Sequence, residues 1–367
     1  MATQKIPGRA IKLGTDTVGD VMYYDGTAWT RLPIGEAGEV LTMNEAGTFP
    51  VWGAVWTYPG LTYGYLMGGN PVTYNSPTDD IEKYSMTSDT NSISVADLTV
   101  ARNYPSEGNV SQTHGYCCGG HIYLAPGFTV GFHFNTVEKF QYSNDADATD
   151  VGDMTIEGNG MANSASDTHG YNAGGTPHGA TYPTAGNVIE KFAFATDVNS
   201  TDVDDMFFAV SGCSGHSSIT HGYAAGGSSN GAGPNNTDMI QKWSMVTDAT
   251  GTDVANLTST KQGRTGSSSL THGYKIAGTT NASIGLDEIE KFTFASDSNA
   301  TRPGDLTAIQ YGSGGGASSE ANGYIASGNS AVGYIVRIEK FSHVTDGNAT
   351  HIADVATSRN EASGNHV

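Results

Sequence analysis

The residue types best suited to metal or acid-base chemistry recur in one short pattern, Thr-His-Gly-Tyr. The pattern places a histidine two residues before a tyrosine at His114, His169, His221 and His272. Residues i and i+2 of a β-strand lie on the same face, so each imidazole would share a surface with a phenol. Four imidazoles could hold a metal ion if they met at the axis of a ring-shaped fold. They do not meet there if the pattern forms the second strand of each unit, and packing between units is then the expected role.

Two further repeated motifs carry charge. Asp-x-Asn-x-Thr, as at Asp197 and Asn199, has the alternating oxygen atoms with which a calcium loop opens, but it lacks the closing bidentate glutamate. Asx-turns account for Asp and Asn in a hairpin without a metal ion. A Glu-Lys pair, as at Glu190 and Lys191, could pair with an Asp or His of a neighbouring unit. An acid present once per unit is unsuited to catalysis, because a catalytic pair needs two carboxylates in one pocket. We expect these motifs to be structural, with no metal or cofactor.

An internal repeat explains these recurrences. An octet that contains the pattern or a variant of it starts at residues 62, 113, 168, 220, 271 and 321, with spacings of 51, 55, 52, 51 and 50 residues. Each octet is followed by a segment of the type IEKF and then by one of the type TDVxDM. The period and the short β-like runs match the four-stranded antiparallel blade of a β-propeller. The sequence therefore predicts an all-β fold with six blades over residues 61–367.

The four strands of a blade can be placed on the repeat. Strand a is the small-residue segment before the octet, because strands near a propeller axis are crowded. Strand b is HGYxxGG, with the glycine pair at its end; strand c is IEKFxF and strand d is TDVxDM. The last segment, residues 360–367, resembles a strand a, whereas no such strand precedes the first octet. We expect the C-terminal segment to supply the inner strand of the first blade and so to close the ring.

The order of small-residue strand, aromatic strand ending in Gly-Gly, aromatic third strand and fourth strand resembles the kelch-type β-propeller. The resemblance covers residues 61–367 and departs from the family in two ways. The tryptophan usual in the fourth strand is absent, and the arginine usual before strand a is present only at Arg102 and Arg359. The aligned positions in the other units are Gly158, Val210, Lys261 and Gln310.

Residues 1–60 lack the repeat and form a separate, β-rich segment. Asp25-Gly26, between two aromatic runs, predicts a β-hairpin. The segment resembles a short module of bacteriophage tail fibres and other virion appendages. The matching residues are Gly19, Asp20, Tyr23, Tyr24, Asp25, Gly26, Trp29, Arg31, Leu32, Gly35, Gly38, Leu41, Pro50, Trp52 and Gly53. The resemblance implies attachment to other virion proteins (tail, baseplate or capsid) through residues 1–60, and a homotrimer.

Candidate ligand-binding residues lie where the copies of the repeat differ. The connections between strands b and c are long in units 2 and 3, at residues 121–135 and 176–187. They carry aromatic and imidazole side chains on the face with which propellers usually bind ligands, which are Tyr123, Phe128, Phe132, His133, Phe134, His178 and Tyr182. Aromatic loop residues suit recognition, including stacking on sugar rings. Alternatively, these residues cover one another or contact sister chains of a trimer.

Composition excludes several functions. The formal net charge is −20, with 17 Lys and Arg against 37 Asp and Glu and no basic cluster, which disfavours nucleic acid and anionic lipid as partners. No apolar run is long enough to span a membrane, and no export signal is recognisable. Three cysteines without zinc-site spacing predict reduced, packed thiols. No hydrolase, metalloprotease or phosphate-loop motif occurs, so we expect no enzymatic activity.

These features together predict a phage virion structural protein, a tail fibre or other appendage, made in the host cytoplasm. Its propeller would be displayed for adhesion to a host-surface glycan or lipopolysaccharide. One alternative is a secreted or surface lectin-like or carbohydrate-active propeller unrelated to virions. Another is a virion decoration or spacer that binds nothing.

Overall fold

A computed structural model describes residues 17–35, 39–43, 48–54, 62–71, 77–124, 129–178, 185–229, 235–312 and 314–365. The chain divides into two compact units, Met1–Thr57 and Tyr58–Val367. Every regular element in the described ranges is a β-strand. No helix in those ranges has the length and apolar character needed to cross a membrane.

The first unit contains two antiparallel hairpins. They are formed by β1 (Val21–Tyr24) with β2 (Trp29–Leu32) and by β3 (Glu39–Met43) with β4 (Pro50–Ala54). The hairpin predicted at Asp25-Gly26 is confirmed, but four residues connect its strands, since Tyr24 is paired with Trp29. The Asp25 carboxylate accepts the N–H groups of Thr27 and Ala28, both at 2.8 Å. This Asx-type turn replaces the two-residue turn that the dipeptide suggests.

The second unit is a ring of six four-stranded antiparallel sheets, as predicted. Blade 1 contains β5 (Tyr63–Met67), β6 (Asp80–Ser85) and β7 (Ile93–Asp97). Blade 2 contains β8 (Asn109–Val110), β9 (His114–Cys118), the hairpin of β10 (His121–Leu124) and β11 (Thr129–His133), then β12 (Thr136–Gln141) and β13 (Thr149–Asp153). Blade 3 contains β14 (Gly158–Asn159), β15 (Ala162–Ala165), β16 (His169–Ala173), β17 (Thr176–Pro177), β18 (Val188–Ala193) and β19 (Thr201–Asp205).

The remaining blades repeat the arrangement. Blade 4 contains β20 (Ser214–Ser217), β21 (His221–Ala225), β22 (Met239–Ser244) and β23 (Ala249–Asn256). Blade 5 contains β24 (Gly266–Ser268), β25 (His272–Thr279), β26 (Gly285–Thr293) and β27 (Thr301–Gln310). Blade 6 contains β28 (Gly315–Ser318), β29 (Asn322–Ala326), β30 (Asn329–Ser330), β31 (Gly333–Tyr334), β32 (Arg337–Ser342) and β33 (Thr350–Asp354).

The ring is closed by the C-terminal strand, as predicted. β34 (Ser363–Gly364) is paired with β5 and completes blade 1. Next to it, Asn360 and Asn70 form a backbone bridge, and Gly108 of blade 2 bridges Asn365. The first strand of the propeller and the C-terminal strand, with Tyr65 and Asn365 300 residues apart in sequence, are therefore joined in one sheet.

The octet's glycine and tyrosine connect neighbouring blades. The glycine lies opposite the strand c aromatic of its own blade, as Gly273 does opposite Phe292. That aromatic ring in turn packs on the octet tyrosine of the preceding blade, Tyr223, at 5.8 Å between ring centroids. Tyr324 of blade 6 and Tyr84 of blade 1 close the series at 6.2 Å. The tyrosine, rather than the histidine, makes the ring contacts between blades.

The octet histidines are held within their own turns. In each of the four copies the Nδ1 atom lies 2.8 Å from the hydroxyl of the preceding threonine. Each imidazole is half-buried, and burial lowers its pKa. The packing role expected for these histidines between blades is thus replaced by a local role in the turn that precedes strand b.

Ion pairs between blades form a second closed ring. The lysine of each IEKF segment pairs with the first aspartate of the next blade's Asp-x-Asn turn or its equivalent. Lys340 of blade 6 pairs with Asp89 of blade 1 and closes this ring. In the same turns, the Asn91 side chain accepts the N–H of Asp354 at 3.0 Å. The expected pairing of this lysine with a neighbouring aspartate is confirmed.

Candidate functional site

The six copies of the repeat differ in residue type in the segments that lead into the inner strands. Two residues after the aligned position of Arg102, the backbone has a positive φ in every blade. The values are 49° at Tyr104, 67° at Gly160, 64° at Gly212, 144° at Gly263, 69° at Gly312 and 60° at Glu361. Side chains other than glycine rarely adopt this conformation, which costs on the order of 1–3 kcal/mol. Tyr104 and Glu361 therefore mark a place where the surroundings impose a strained backbone.

Tyr104 and Glu361 lie in one polar cluster. The Tyr104 ring stacks on His121 at 5.1 Å and 15°, and the Arg264 guanidinium carbon lies 4.3 Å from its centroid. The Tyr104 N–H donates to the carbonyl of Glu361 at 3.0 Å, and Asn70 donates to the Glu361 carboxylate at 2.7 Å. Burial raises the pKa of Glu361, while Tyr104 and Arg264 act in the opposite direction.

A second buried carboxylate, Glu107, joins blades from across the ring. It accepts the backbone N–H of Gly266 at 2.9 Å and that of Gly215 at 3.3 Å. Burial lowers the pKa of the nearby Lys275 to about 8, and the charge of Glu107 acts against that shift. Arg264 donates to the Pro105 carbonyl at 3.1 Å. These groups are buried and hydrogen-bonded to backbone atoms of blades 2, 4 and 5.

The connections between strands b and c in blades 2 and 3 converge beside this cluster. The β10–β11 hairpin places His133 opposite His121, with ring centroids 5.5 Å apart. The β14–β17 pairing fixes the start of the blade 3 connection, and His178 lies 5.1 Å from His133 in an edge-to-face arrangement. Two of the predicted site residues, from different blades, are thus in contact.

Polar side chains hold the two imidazoles. The His178 Nδ1 atom lies 2.5 Å from a Glu157 carboxylate oxygen. The backbone N–H of His178 donates to the backbone carbonyl of Glu157 at 2.8 Å. The His133 Nε2 atom lies 3.1 Å from the Asn159 amide. Burial, followed by the charge of His178, lowers the pKa of His133. Burial lowers the pKa of His121 to about 3, so His121 is neutral near pH 7.

Exposure increases outward along this row of histidines. His121 is 4% exposed, His133 is partly buried, and the side chain of His178 is 50% exposed. Phe132, next to His133, is 56% exposed. We call the surface formed by Phe132, His133, Glu157, Asn159 and His178 the blade 2–3 surface.

The other predicted site residues have different positions. Phe134 lies against Arg102, whose guanidinium carbon is 4.8 Å from its ring centroid, so this aromatic ring covers a buried ion pair. Tyr123 belongs to β10, but its side chain is outside the described part of the chain, as are Phe128 and Tyr182 entirely.

The strand order places the blade 2–3 surface on a defined end of the ring. Connections between strands b and c lie at one end of an antiparallel blade, and the turns between a and b and between c and d lie at the other. The chain enters the propeller at the start of β5, a strand b. The blade 2–3 surface therefore lies at the end opposite to the point where the chain enters.

Blade 3 also contains a buried carboxylate, that of Glu190, which accepts hydrogen bonds from Thr155 but forms no ion pair within the described residues. In blades 1, 2 and 5 the strand c glutamate pairs with Arg359, Arg102 or Lys261. In blade 3 the aligned residue is Gly158, and Glu190 lines a cavity of about 20 Å³, room for one water molecule. One Glu190 oxygen, Oε1, has no hydrogen-bond partner in the described structure. Burial raises the pKa of this carboxyl.

The three cysteines contribute packing. Cys117, Cys118 and Cys213 are buried and form no disulfide, as predicted from their spacing. Burial raises the pKa of Cys117 to about 11 and that of Cys213 to about 12. Thiols with such pKa values are poor nucleophiles at neutral pH.

Comparisons with known proteins support the fold. No protein-family profile and no curated protein matches the sequence. A solved structure described as "Structure of YjhT" is similar over 78% of this chain and 97% of its own, with a TM-score of 0.61 and 12% identity. The shared feature is the β-propeller. At this identity the likeness concerns the fold alone.

Sequence reasoning missed the inner part of the cluster. Tyr104, Glu361 and Arg264 lie in the segments that lead into strand a, for which the repeat predicts only a structural role. A signal was present, because four of the six aligned positions hold glycine, whereas Tyr104 and Glu361 do not. His121 and Asn159 were missed because their roles depend on the β10–β11 and β14–β17 pairings.

Proposed function

We propose that the protein is a structural component of a bacteriophage virion, a tail fibre or other appendage, whose propeller adheres to a host-surface glycan or lipopolysaccharide. The observation that carries the adhesion part is the contact of His133 with His178 beside the exposed Phe132. Side chains from two different blades form one surface in the connections where the sequences of the repeats differ. Scaffold residues recur in all blades, whereas these do not.

The chemistry of the blade 2–3 surface suits a saccharide. Phe132 offers an exposed apolar ring, and aromatic rings stack on the C–H faces of sugars. The carboxylate of Glu157 can accept hydrogen bonds from sugar hydroxyls, and the amide of Asn159 can donate and accept them. A flat apolar ring together with a few oriented polar groups is typical of ligand sites.

The virion part of the proposal depends on residues 1–60, which resemble the tail-fibre module. If these residues attach to the virion as a trimer, three copies of the blade 2–3 surface are presented together. Three propellers on one stem would add avidity to contacts that are weak individually.

Binding of the fluorescently labelled full chain to a panel of bacterial strains tests adhesion. We expect binding to at least one strain, and at least a tenfold loss with the double variant Phe132→Ala and His178→Ala. The matched control is Ile284→Ala, which removes a side chain of 60% exposure from blade 5. Equal binding by all three proteins, or by none, would contradict adhesion through this surface.

The mass of the full chain in solution tests the appendage assembly. We expect a trimer, three times the 38.2 kDa of the chain, whereas residues 58–367 alone should be monomeric. A monomeric full chain that binds cells would favour the alternative of a lectin-like propeller unrelated to virions. A trimer that binds no strain would favour a virion decoration.

A further inference from the structure

We propose that the cavity beside Glu190 in blade 3 binds the primary ammonium group of a ligand. Binding of the ammonium group does not depend on adhesion to cells. The assignment of this group to a saccharide rests on the proposed function, and it specifies the class of saccharide that the protein would take.

The same position of the repeat holds a buried cation in three other blades. In blade 2, the Arg102 guanidinium donates to the Gly119 carbonyl at 2.8 Å and to the Thr136 hydroxyl at 3.0 Å. The same guanidinium pairs with Glu138. Equivalent ion pairs are Arg359 with Glu82 in blade 1 and Lys261 with Glu290 in blade 5. The repeat therefore has a cation site here, with the strand c glutamate as its charged acceptor.

Blade 3 has the surroundings of this cation site without the basic side chain. The residue aligned with Arg102 is Gly158. The residues aligned with the three partners of that arginine all line the cavity, and they are Gly174, Val188 and Glu190. The cavity therefore corresponds in position to the guanidinium of blade 2.

The carboxylate of Glu190 is the acceptor that the cavity offers. The residue is 3% exposed, and its Oε2 atom accepts the N–H and the hydroxyl of Thr155 at 2.7 and 2.5 Å. Its Oε1 atom accepts no hydrogen bond within the described residues. A buried carboxylate without a counter-charge loses favourable solvation. A cationic donor in the cavity would offset that loss.

The size and the lining of the cavity favour an ammonium group. The volume of about 20 Å³ admits one group of the size of a water molecule, which an ammonium group matches and the larger guanidinium does not. An ammonium group has three N–H donors, for which Glu190 Oε1 and the Gly174 carbonyl are the nearest acceptors by analogy with blade 2. Ile156, Met161 and Pro177 supply apolar walls for the carbon atom that carries the nitrogen.

The mouth of the cavity adjoins the blade 2–3 surface. Ile156 and Pro177 are partly exposed, whereas Glu190 is buried at the base. In sequence, Ile156 precedes Glu157 and Pro177 precedes His178. The remainder of a ligand whose ammonium group enters the cavity would thus lie near the blade 2–3 surface. Under the proposed function, the ligand is an amino sugar or a saccharide that carries an ethanolamine substituent.

Nuclear magnetic resonance of the full chain with ¹³C-labelled methionine methyl groups tests the proposal. Met161 lines the cavity and is 4% exposed, so its methyl signal, assigned with Met161→Leu, reports on the site. Methylammonium chloride is titrated at constant chloride concentration. We expect a saturable shift of this signal, and no shift with tetramethylammonium, which is larger and has no N–H donor.

A matched pair of variants locates the binding. Glu190→Gln should weaken methylammonium binding at least tenfold, because it removes the charged acceptor. Glu339→Gln makes the same change at the aligned residue of blade 6, where Gln310 stands at the position of Arg102, and should leave the affinity unchanged. Thermal unfolding checks that both variants are folded, and the comparison with tetramethylammonium requires no variant.

Three further ligands distinguish the sources of the ammonium group. A saturable Met161 shift with glucosamine supports an amino sugar, and one with ethanolamine supports an ethanolamine substituent. N-acetylglucosamine, which has no ammonium group, should give no shift.

The proposal is overturned if methylammonium gives no saturable shift, if Glu190→Gln binds it as tightly as the wild type, or if N-acetylglucosamine binds as well as glucosamine. Cell adhesion is measured separately. Methylammonium binding by a protein that adheres to no strain would contradict only the proposed function, and adhesion without methylammonium binding would contradict only the ammonium site.

Discussion

Among single residues, those that recur in most copies of the repeat serve packing between strands and blades. The octet glycine leaves room for an aromatic ring of the facing strand, and the octet tyrosine lies on the next blade's aromatic. The histidine, which has the most versatile chemistry, is confined to a turn. Residues with potential for ligand chemistry are those that occur once, such as Tyr104, His133 and His178.

Gly273→Ala tests the steric role of the octet glycine. A Cβ at residue 273 would lie closer than 3.0 Å to three ring carbons of Phe292, and overpacking of this kind costs about 1–3 kcal/mol. We expect that loss in the free energy of unfolding measured with urea. Gly186→Ala is the matched control, since its nearest atoms would be at 3.5 Å. Equal stability of the two variants would show that the glycine is not required by packing.

Glu190→Gln and Glu138→Gln test the role of the basic residue before strand a. Glu138 pairs with the buried Arg102, and leaving that charge unpaired costs about 3–5 kcal/mol. Blade 3 has Gly158 at the position aligned with Arg102, and a glutamine at residue 190 can still accept the Thr155 N–H that Glu190 now accepts at 2.7 Å. Blade 4 already has this neutral combination, Val210 with Gln241. We therefore expect Glu138→Gln to destabilise the propeller and Glu190→Gln to leave it equally or more stable at pH 7.

The pH dependence of Glu190→Gln has a defined sign. Burial raises the pKa of Glu190 in the folded state above its unfolded value. The contribution of this carboxyl to stability is then complete below the unfolded pKa and declines as the pH rises through the folded pKa. The stability of the variant relative to the wild type should increase between about pH 4 and pH 7. Urea unfolding of both proteins across this range measures it, and a difference independent of pH would refute the assignment.

At the scale of elements, the strands were predictable because each repeats six times. Strand a, strand b, strand c and strand d lie where the small-residue segment, the octet, IEKF and TDVxDM predict them. The C-terminal inner strand was predictable as well, because its sequence matched a strand that the first unit lacked. The β10–β11 hairpin and the β14–β17 pairing were not predictable, because each occurs once and forms through contacts that no repeated pattern encodes.

Removal of residues 360–367 tests the closure of the ring. The truncated protein loses β34 and the bridge between Asn360 and Asn70, which leaves the edge of β5 unpaired and apolar side chains exposed. We expect a loss above about 5 kcal/mol in the free energy of unfolding, measured by circular dichroism. A synthetic peptide of residues 360–367 should restore part of the stability, whereas a peptide of the same composition in scrambled order should not. An unchanged unfolding transition in the truncated protein would contradict closure by this strand.

In the molecule as a whole, the two units support different conclusions. The propeller's architecture follows from physical regularities in its sequence and is shared with a solved structure. The candidate site was predictable only in part. Long, unequal connections indicated blades 2 and 3, but the contact between His133 and His178 required the three-dimensional ring. The virion role depends on a resemblance in residues 1–60 and on no feature of the propeller.

The net charge of −20 is a property of the whole chain that affects its approach to a cell surface. Bacterial surfaces rich in phosphate and carboxylate repel an acidic protein over distances of about one Debye length, roughly 8 Å at physiological salt. Under the proposed function, binding at the blade 2–3 surface would therefore depend on short-range contacts with hydroxyl groups and apolar sugar faces rather than on long-range attraction.

The proposed function predicts that the ligand contacts blades 2 and 3. Hydrogen–deuterium exchange of the full chain, with and without polysaccharide purified from a strain to which it binds, locates these contacts. We expect slower exchange in peptides covering residues 121–135 and 176–187, with no change at the blade 5 and blade 6 connections near residues 280–285 and 329–334. Protection confined to other blades or to the turns between strands c and d, or no protection at all, would contradict it.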